Sequence, residues 1–346
     1  MRASLFHEHG GPEVLEYTDF PTPVPGKKQV LVEVKGVALN HLDLFVRAGI
    51  PGMNLEMPHI LGSDISGVVK ELGDNVTSNI EPKERVIIDP GLSCGTCEYC
   101  RMGEQSLCPQ YKIIGEHVRG GYAEYIAVNE ENIISLPKDT GLDYVEAAAV
   151  PLTFMTAWRL LMVKGNLRPG DDVLIIGIGG GVALAALQIA KVAGARVFVT
   201  SSSDTKLEKA RLLGADYLIN HNTTPDYHRE IYNMTNKRGV DIVLDSVGAA
   251  TWERSLKSLR KGGKLVTPGA TSGPMANTNV NLIFWKQLEI LGSTMSSRSE
   301  LRDVLKLVWA KKLHPVVDRV YPLSKAEEAH RLLEKGEQFG KLVLRP

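Results

Sequence analysis

The four cysteines of this chain fall in one run, Cys94-Gly-Thr-Cys97-Glu-Tyr-Cys100, with seven residues separating Cys100 from Cys108. Thiolates spaced this closely, with no cysteine elsewhere, read as one tetrahedral metal site. Four sulfur ligands suit a d¹⁰ ion such as zinc, and an ion held by four protein ligands keeps no open position for substrate. The expected role is structural, with one zinc per chain holding a loop in shape. Cys108-Pro109 has the ending of an iron–sulfur run, but that pattern wants a shorter gap before its last cysteine. Two disulfides would suit a secreted chain. The start, Met1-Arg-Ala-Ser-Leu-Phe-His-Glu, lacks the apolar core of a secretory signal.

A second constellation is rich in glycine: Gly177-Ile-Gly179-Gly180-Gly181-Val182-Ala183. Glycines let the backbone turn sharply and approach a pyrophosphate, and the N-terminus of the following helix offers free N–H groups and a favourable dipole. Such a turn alone is a weak signal. The apolar strand Asp172-Val-Leu-Ile-Ile before it and the apolar helical stretch 183–194 after it raise the reading to dinucleotide binding. The usual third glycine is replaced by Ala183. The end of the next strand selects the dinucleotide, since a carboxylate there accepts from the ribose 2′-hydroxyl of NAD. This chain has Thr200-Ser201-Ser202-Ser203, with Lys206 nearby. Ser201, Ser202 and Lys206 would receive a 2′-phosphate, so NADP(H) is favoured, with NAD(H) possible through Asp204. The plainer reading is that the serines cap the next helix. Val247 and Gly269 follow two further strand runs, Asp241-Ile-Val-Leu-Asp and Lys264-Leu-Val-Thr, whose C-terminal ends should face the cofactor.

The elements that must position these groups divide into two textures. The chain has 346 residues, enough for two domains. Up to about residue 146 it reads as short β runs punctuated by Gly and Pro, among them Val30-Leu-Val-Glu-Val and Arg85-Val-Ile-Ile. From Ala147 strands alternate with helical stretches, as in a doubly wound parallel sheet. After about residue 297 an amphipathic stretch, a strand, a helix and the closing Lys341-Leu-Val-Leu return to the first texture. The predicted organisation is a β-rich domain of residues 1–146 and 298–346 carrying a metal lobe at 91–112, and an inserted α/β domain of residues 147–297. Forty basic residues balance forty acidic ones, which argues against nucleic acid or an anionic membrane surface as partner. No run approaches the ~18 apolar residues of a membrane span. The expectation is a soluble cytoplasmic protein acting on a small molecule.

On these motifs the chain resembles the medium-chain dehydrogenase/reductase superfamily over essentially its whole length. The cysteine spacing is similar to the structural zinc lobe of its zinc alcohol dehydrogenases. Gly177–Val182 resembles the longer cofactor loop of its quinone reductase branch. The resemblance implies a GroES-like catalytic domain, a Rossmann NADP-binding domain, a cleft between them, and dimers or tetramers. It also implies that Thr156 lies beside the nicotinamide and that Glu289-Ile-Leu-Gly is an edge strand able to pair across a dimer. The catalytic zinc ligands of the family fall here on Asn40, Ser63 and Leu152, with Asp64 beside Ser63 and Leu42 in place of the relay hydroxyl. Asn40, Asp43, Arg47 and Gly49 look instead like the matching stretch of zinc-free quinone and enone reductases. Without a Lewis acid, hydride delivery to an electron-poor carbon is easier than alcohol oxidation. The expected activity is therefore NAD(P)H-dependent reduction of quinones, enones or activated carbonyls. Asn40, His41 and Asp64 are the candidate catalytic residues: Asn40 as an amide donor to the oxyanion, His41 as donor or proton shuttle. Turn brace and wall residue are their plainer readings. Two alternatives stand. One is an alcohol dehydrogenase with a catalytic zinc on unusual ligands drawn from His41, His59, Asp64 and His117. The other is a nucleotide-binding protein without catalysis.

Overall fold

The computed structural model describes residues 1–346, which divide into two compact units. The first comprises Met1–Leu152, Ser297–Lys311 and Pro315–Pro346, and the second Thr153–Ser296 with Lys312–His314. Residues 147–152 stay with the first unit, because the helix Tyr144–Ala148 packs on the strands Gln29–Ala38 and Asp64–Leu72.

The first unit is built on a seven-stranded sheet. Its order is Ile133–Ser135, Arg85–Ile88, Asp64–Leu72, Gln29–Ala38, Lys341–Arg345 and Val317–Pro322, with Tyr125–Asn129 also paired to Gln29–Ala38. Alternating Val30, Val32 and Val34 face a closed core with Ile65, Val69, Val86, Ile126 and Val128, as expected for strands with one face packed inward. The closing strand pairs antiparallel with the end of Gln29–Ala38, Val343 opposite Ala38. On the other side Asp64 stands opposite the same Ala38. Three strand ends therefore converge where Asn40 begins the helix His41–Ala48.

The second unit is a six-stranded, wholly parallel sheet. Its order is Tyr217–Asn220, Arg196–Ser201, Asp172–Ile175, Val240–Leu244, Leu259–Thr267 and Glu289–Gly292. The strands are buried apolar runs such as Val173–Ile175 and Ile242–Leu244, the pattern of strands covered by helices on both faces. The strand order reverses between Asp172–Ile175 and Val240–Leu244, and ligands of such sheets bind in the crevice at that point. The α/β class with a GroES-like partner domain, expected from the alternation and the resemblance, is the observed architecture. Tyr217–Asn220 and Glu289–Gly292 are the two edge strands of the parallel sheet.

Candidate functional site

The metal lobe is closed by a two-stranded ribbon, Gly91–Leu92 against Lys112–Ile113. Between its strands the four sulfurs converge, with their ligand atoms all within 4.8 Å of one another. Cys94 Sγ lies 3.9 Å from Cys100 Sγ. A tetrahedral zinc with bonds of about 2.3 Å asks for sulfur separations of about 3.8 Å. The backbone prepares the thiolates, with Cys97 N–H donating to Cys94 Sγ at 3.3 Å and Gln110 N–H to Cys108 Sγ at 3.4 Å. Donation from the backbone of Thr96 and Cys97 holds the Cys94 thiol down at about 6, favouring its thiolate, whereas, against donation from Cys100 N–H, burial and the neighbouring thiols push Cys97 up to about 11. The lobe is fastened to its own unit by Arg298, whose N–H donates to Gln105 and whose guanidinium pairs with Glu131.

The nucleotide loop follows the strand Asp172–Ile175. Gly177 and Gly179 take φ of +71° and +132°, conformations open to glycine and strained for other residues. Gly177 N–H donates to Thr200 Oγ1 at 3.1 Å and Ile178 N–H to Thr200 O at 2.8 Å. A side chain at Gly177 would meet Val247 Cγ2 at 3.3 Å, whereas one at Gly180 would meet nothing within 4 Å. Gly177 and Val247 thus flank the crevice where the strand order reverses. The helix Gly181–Val192 starts at Gly180 with no side-chain cap. Its first N–H groups, those of Gly181, Val182 and Ala183, await an acceptor. Thr156 adds a buried hydroxyl with no hydrogen-bond partner. An open cradle, an uncapped helix end and an orphaned hydroxyl fit a dinucleotide.

The serines divide their roles. Ser201 is buried and its Oγ accepts from Ser203 N–H at 3.1 Å. Ser203 Oγ accepts from Lys206 N–H and caps the helix Asp204–Leu212, so the plainer reading holds for it. Ser202 is the exposed serine. Asp204 accepts from Asn220 Nδ2 at 2.7 Å. Asp245, fully buried, braces Val247 and Gly248 by accepting from both N–H groups and from the hydroxyls of Thr251 and Ser255. Gly269 lies exposed after the next strand, with Thr267 Oγ1 bonded to its carbonyl.

In the first unit the convergent strand ends carry a buried polar cluster. Asp64 Oδ1 accepts from Leu152 N–H at 2.6 Å, and Asp64 Oδ2 from Asn40 Nδ2 at 3.0 Å and Lys341 Nζ at 2.9 Å. Lys341 Nζ also donates to Asn40 Oδ1 at 2.5 Å. The side chains of Lys341 and Asp64 are 5% and 0% exposed. Asn40 Nδ2 has a further, longer contact to Ala38 O at 3.5 Å. Both ends of its amide are thus engaged within the cluster. The backbone N–H of Asn40 bonds Asp43, which also accepts from Gly62 N–H. Burial raises Asp43 to about 7. His41 is half-buried; burial, and then the Lys341 charge, lower its pKa and keep the ring neutral at pH 7. Ser63, fully buried beside Asp64, has a hydroxyl without a partner. Lys341 was invisible to sequence reasoning. The one available signal was a lysine opening the apolar strand Leu342-Val-Leu.

The alternative metal set does not assemble. His59 Nε2 donates to Gly115 O, His117 Nδ1 accepts from Ile113 N–H, and Asp64 is engaged by Lys341. The cysteine cluster is the group whose metal-ligating atoms converge.

Residues 26–138 match the family model described as an alcohol dehydrogenase GroES-like domain, and residues 181–310 that described as a zinc-binding dehydrogenase. An NAD-dependent alcohol dehydrogenase of Sulfolobus acidocaldarius is 34% identical over 355 residues, covering 100% of this chain and 99% of that protein. The chain belongs to the medium-chain dehydrogenase/reductase superfamily, among its zinc-type alcohol dehydrogenase-like members. A solved NAD-dependent alcohol dehydrogenase is 48% identical, with a TM-score of 0.96 over 100% of both chains. An acryloyl-coenzyme A reductase of Sulfurisphaera tokodaii is 31% identical over 95% of each chain. Membership makes the protein an NAD(P)-dependent oxidoreductase. No helix is long and apolar enough to cross a membrane.

Proposed function

We propose that this superfamily member reduces quinones, enones or other activated carbonyls with NADPH, holding one structural zinc at its four cysteines and no catalytic zinc. The observation that carries the reading is the Lys341 ammonium between Asn40 Oδ1 and Asp64 Oδ2. A second cation there would meet a fixed positive charge and a carboxylate already supplied with donors. The remaining positions offer a hydroxyl at Ser63 and an alkyl chain at Leu152, a poor donor set for zinc. Without a metal ion the site is less suited to forming the alkoxide needed for alcohol oxidation than to reducing a conjugated carbonyl, which is already electron-poor. The relative named for an acryloyl thioester supports this substrate class.

A reduced nicotinamide bound at the glycine loop supplies the hydride. This chain's residues then have three tasks. The first-turn N–H groups of the helix Gly181–Val192 bind the pyrophosphate. Asp245 fixes the loop that carries Val247. Thr156 Oγ1 donates its unused hydrogen bond beside the ring. Preference for NADP(H) rests on exposed Ser202 at the strand end and Lys206 in the next turn, while Asp204, which shares Asn220 Nδ2 with the Ser202 carbonyl, favours NAD(H). The NAD-dependent names of the relatives favour the opposite choice, and their alcohol dehydrogenase names favour a second reading as a two-zinc enzyme. Elemental analysis combined with a screen of NADPH and NADH oxidation separates these readings. One zinc per chain with NADPH-driven enone or quinone turnover is expected; two zincs with chelator-sensitive alcohol oxidation would refute the reading. Nucleotide binding without turnover on any of these substrates would point to the non-catalytic alternative.

We also propose assembly into dimers or tetramers through the edge strand Glu289–Gly292. Exposed Val280, Phe284, Trp285 and Ile290 lie on this strand and on the preceding helix Val280–Lys286, an apolar density uncommon on a monomer surface.

A further inference from the structure

We infer that Asn220 is a specificity-determining residue for the nucleotide: its side-chain amide restrains the Asp204 carboxylate and so lets the ribose end of the site accept a 2′-phosphate. The inference deepens the NADPH reading above and rests on it. All the residues involved lie in the second unit. Asn220 ends the strand Tyr217–Asn220 and stands opposite Ser201, the last residue of Arg196–Ser201. The end of that second strand is where a dinucleotide places its adenosine ribose, and a carboxylate there selects the 2′-hydroxyl over the 2′-phosphate. Asp204 is the carboxylate at hand, exposed and opening the helix Asp204–Leu212.

The orientation of the Asn220 amide is fixed by its own bonds. Asn222 N–H donates to Asn220 Oδ1 at 3.0 Å, so the other end of the amide is the donor. Nδ2 then donates to Asp204 Oδ1 at 2.7 Å and reaches the Ser202 carbonyl at 3.5 Å. The third strand grips the second at two further points, with His221 N–H donating to Ser201 O at 3.0 Å and Asn222 Nδ2 to Ser202 O at 3.4 Å. The turn carrying the amide is closed by Thr224 N–H and Thr223 Oγ1, which donate to Asn220 O at 2.8 and 3.1 Å. This clamp is not the cap of the following helix, because Ser203 Oγ fills that role by accepting from Lys206 N–H. It fixes the direction of one carboxylate and offsets part of its negative charge. Released from the amide, Asp204 would turn to the ribose hydroxyl and repel a phosphate, and discrimination between two ligands follows such repulsive elements as much as attractive ones. Asn220 is thus a positioning residue that acts through Asp204.

The test is a pair of dissociation constants, for NADPH and for NADH, read by nucleotide fluorescence on wild type, Asn220→Ala, Asp204→Asn and the double variant. Asn220→Ala should move the ratio of the two affinities about tenfold toward NADH, as expected for losing a hydrogen bond to a charged group. Asp204→Asn should move it toward NADPH, and adding Asn220→Ala to Asp204→Asn should change it by less than about twofold, because the two act as one unit. An amide with a merely structural role would weaken both nucleotides alike and leave the ratio in place. A ratio in Asn220→Ala within about threefold of wild type, a shift toward NADPH, or an equal shift in the Asp204→Asn background would overturn the inference. If Asn220→Ala fails to fold, Asn220→Asp, which keeps the acceptor for Asn222 N–H and lacks the donor, is read in the same way. A wild type that binds NADH more tightly than NADPH would refute the NADPH preference, while an Asp204-dependent shift toward NADH in Asn220→Ala would still leave Asn220 standing.

Discussion

Lys341→Met should destabilise the first unit far more than its exchange of one side chain suggests. The variant leaves the Asp64 carboxyl 0% exposed, with donors from Leu152 and Asn40 only, and leaves Asn40 Oδ1 without its 2.5 Å partner. Removing one member of a buried ion pair costs ~3–5 kcal/mol. Removing both charges, by Lys341→Met with Asp64→Asn, leaves an amide that still accepts from Leu152 N–H and should cost only ~1–2 kcal/mol. The two changes are therefore strongly coupled, by at least ~2 kcal/mol in a double-mutant cycle. Urea unfolding reads this directly. With a slope near ~3 kcal/mol per M, the single variant should move the midpoint down by roughly 1–1.5 M. A single variant costing under ~1 kcal/mol, or a double variant costing the sum of its parts, would show that the ammonium and carboxylate are not energetically joined.

Further outcomes are expected at the other sites. Removal of zinc by a strong thiol-competing chelator, or Cys100→Ser, should release one metal per chain and lower the melting temperature of the first unit while leaving nucleotide binding intact; loss of nucleotide affinity by fluorescence titration would contradict a purely structural metal. Gly180→Val should leave the melting temperature within a few degrees, because a Cβ there meets nothing within 4 Å, yet weaken NADPH binding at least tenfold by filling the pyrophosphate cradle. Asp43 has a folded-state value of about 7 against 3.8 unfolded, so it contributes stability below pH 3.8 that is lost as pH rises through 7. The full swing is roughly 4 kcal/mol, and Asp43→Asn should flatten the stability-versus-pH slope between pH 4 and 7 by about one proton; an unchanged slope refutes its protonation. Trp285, 72% exposed, and Ile290 are expected at a subunit contact, so Trp285→Arg with Ile290→Lys should lower the mass seen by light scattering.

Much of the fold was legible because its signals are local. Strand runs such as Asp172-Val-Leu-Ile and the amphipathic segment 301–312 carry their own periodicity, and the observed elements, the helix Arg298–Trp309 among them, fall within a few residues of those positions. The helix after the glycine loop begins two residues earlier than its apolar run, at Gly181, because glycine is helical there but adds nothing to a hydrophobic pattern. Ser201 and Ser203 were harder. Adjacent serines look alike in sequence, and only the bend between strand and helix turned one inward and made another a cap.

The sequence by itself determined the sulfur cluster and the glycine turn, since both depend on spacings within a few residues that the backbone cannot avoid bringing together. The tertiary structure alone decided the cation at the convergent strand ends. Lys341 lies 277 residues from Asp64 and 301 from Asn40, and their meeting follows from the closing strand adding beside Gln29–Ala38. No local pattern encodes that register; it is fixed by burying Leu342 and Leu344 in the first unit's core, which carries the neighbouring lysine to the carboxylate.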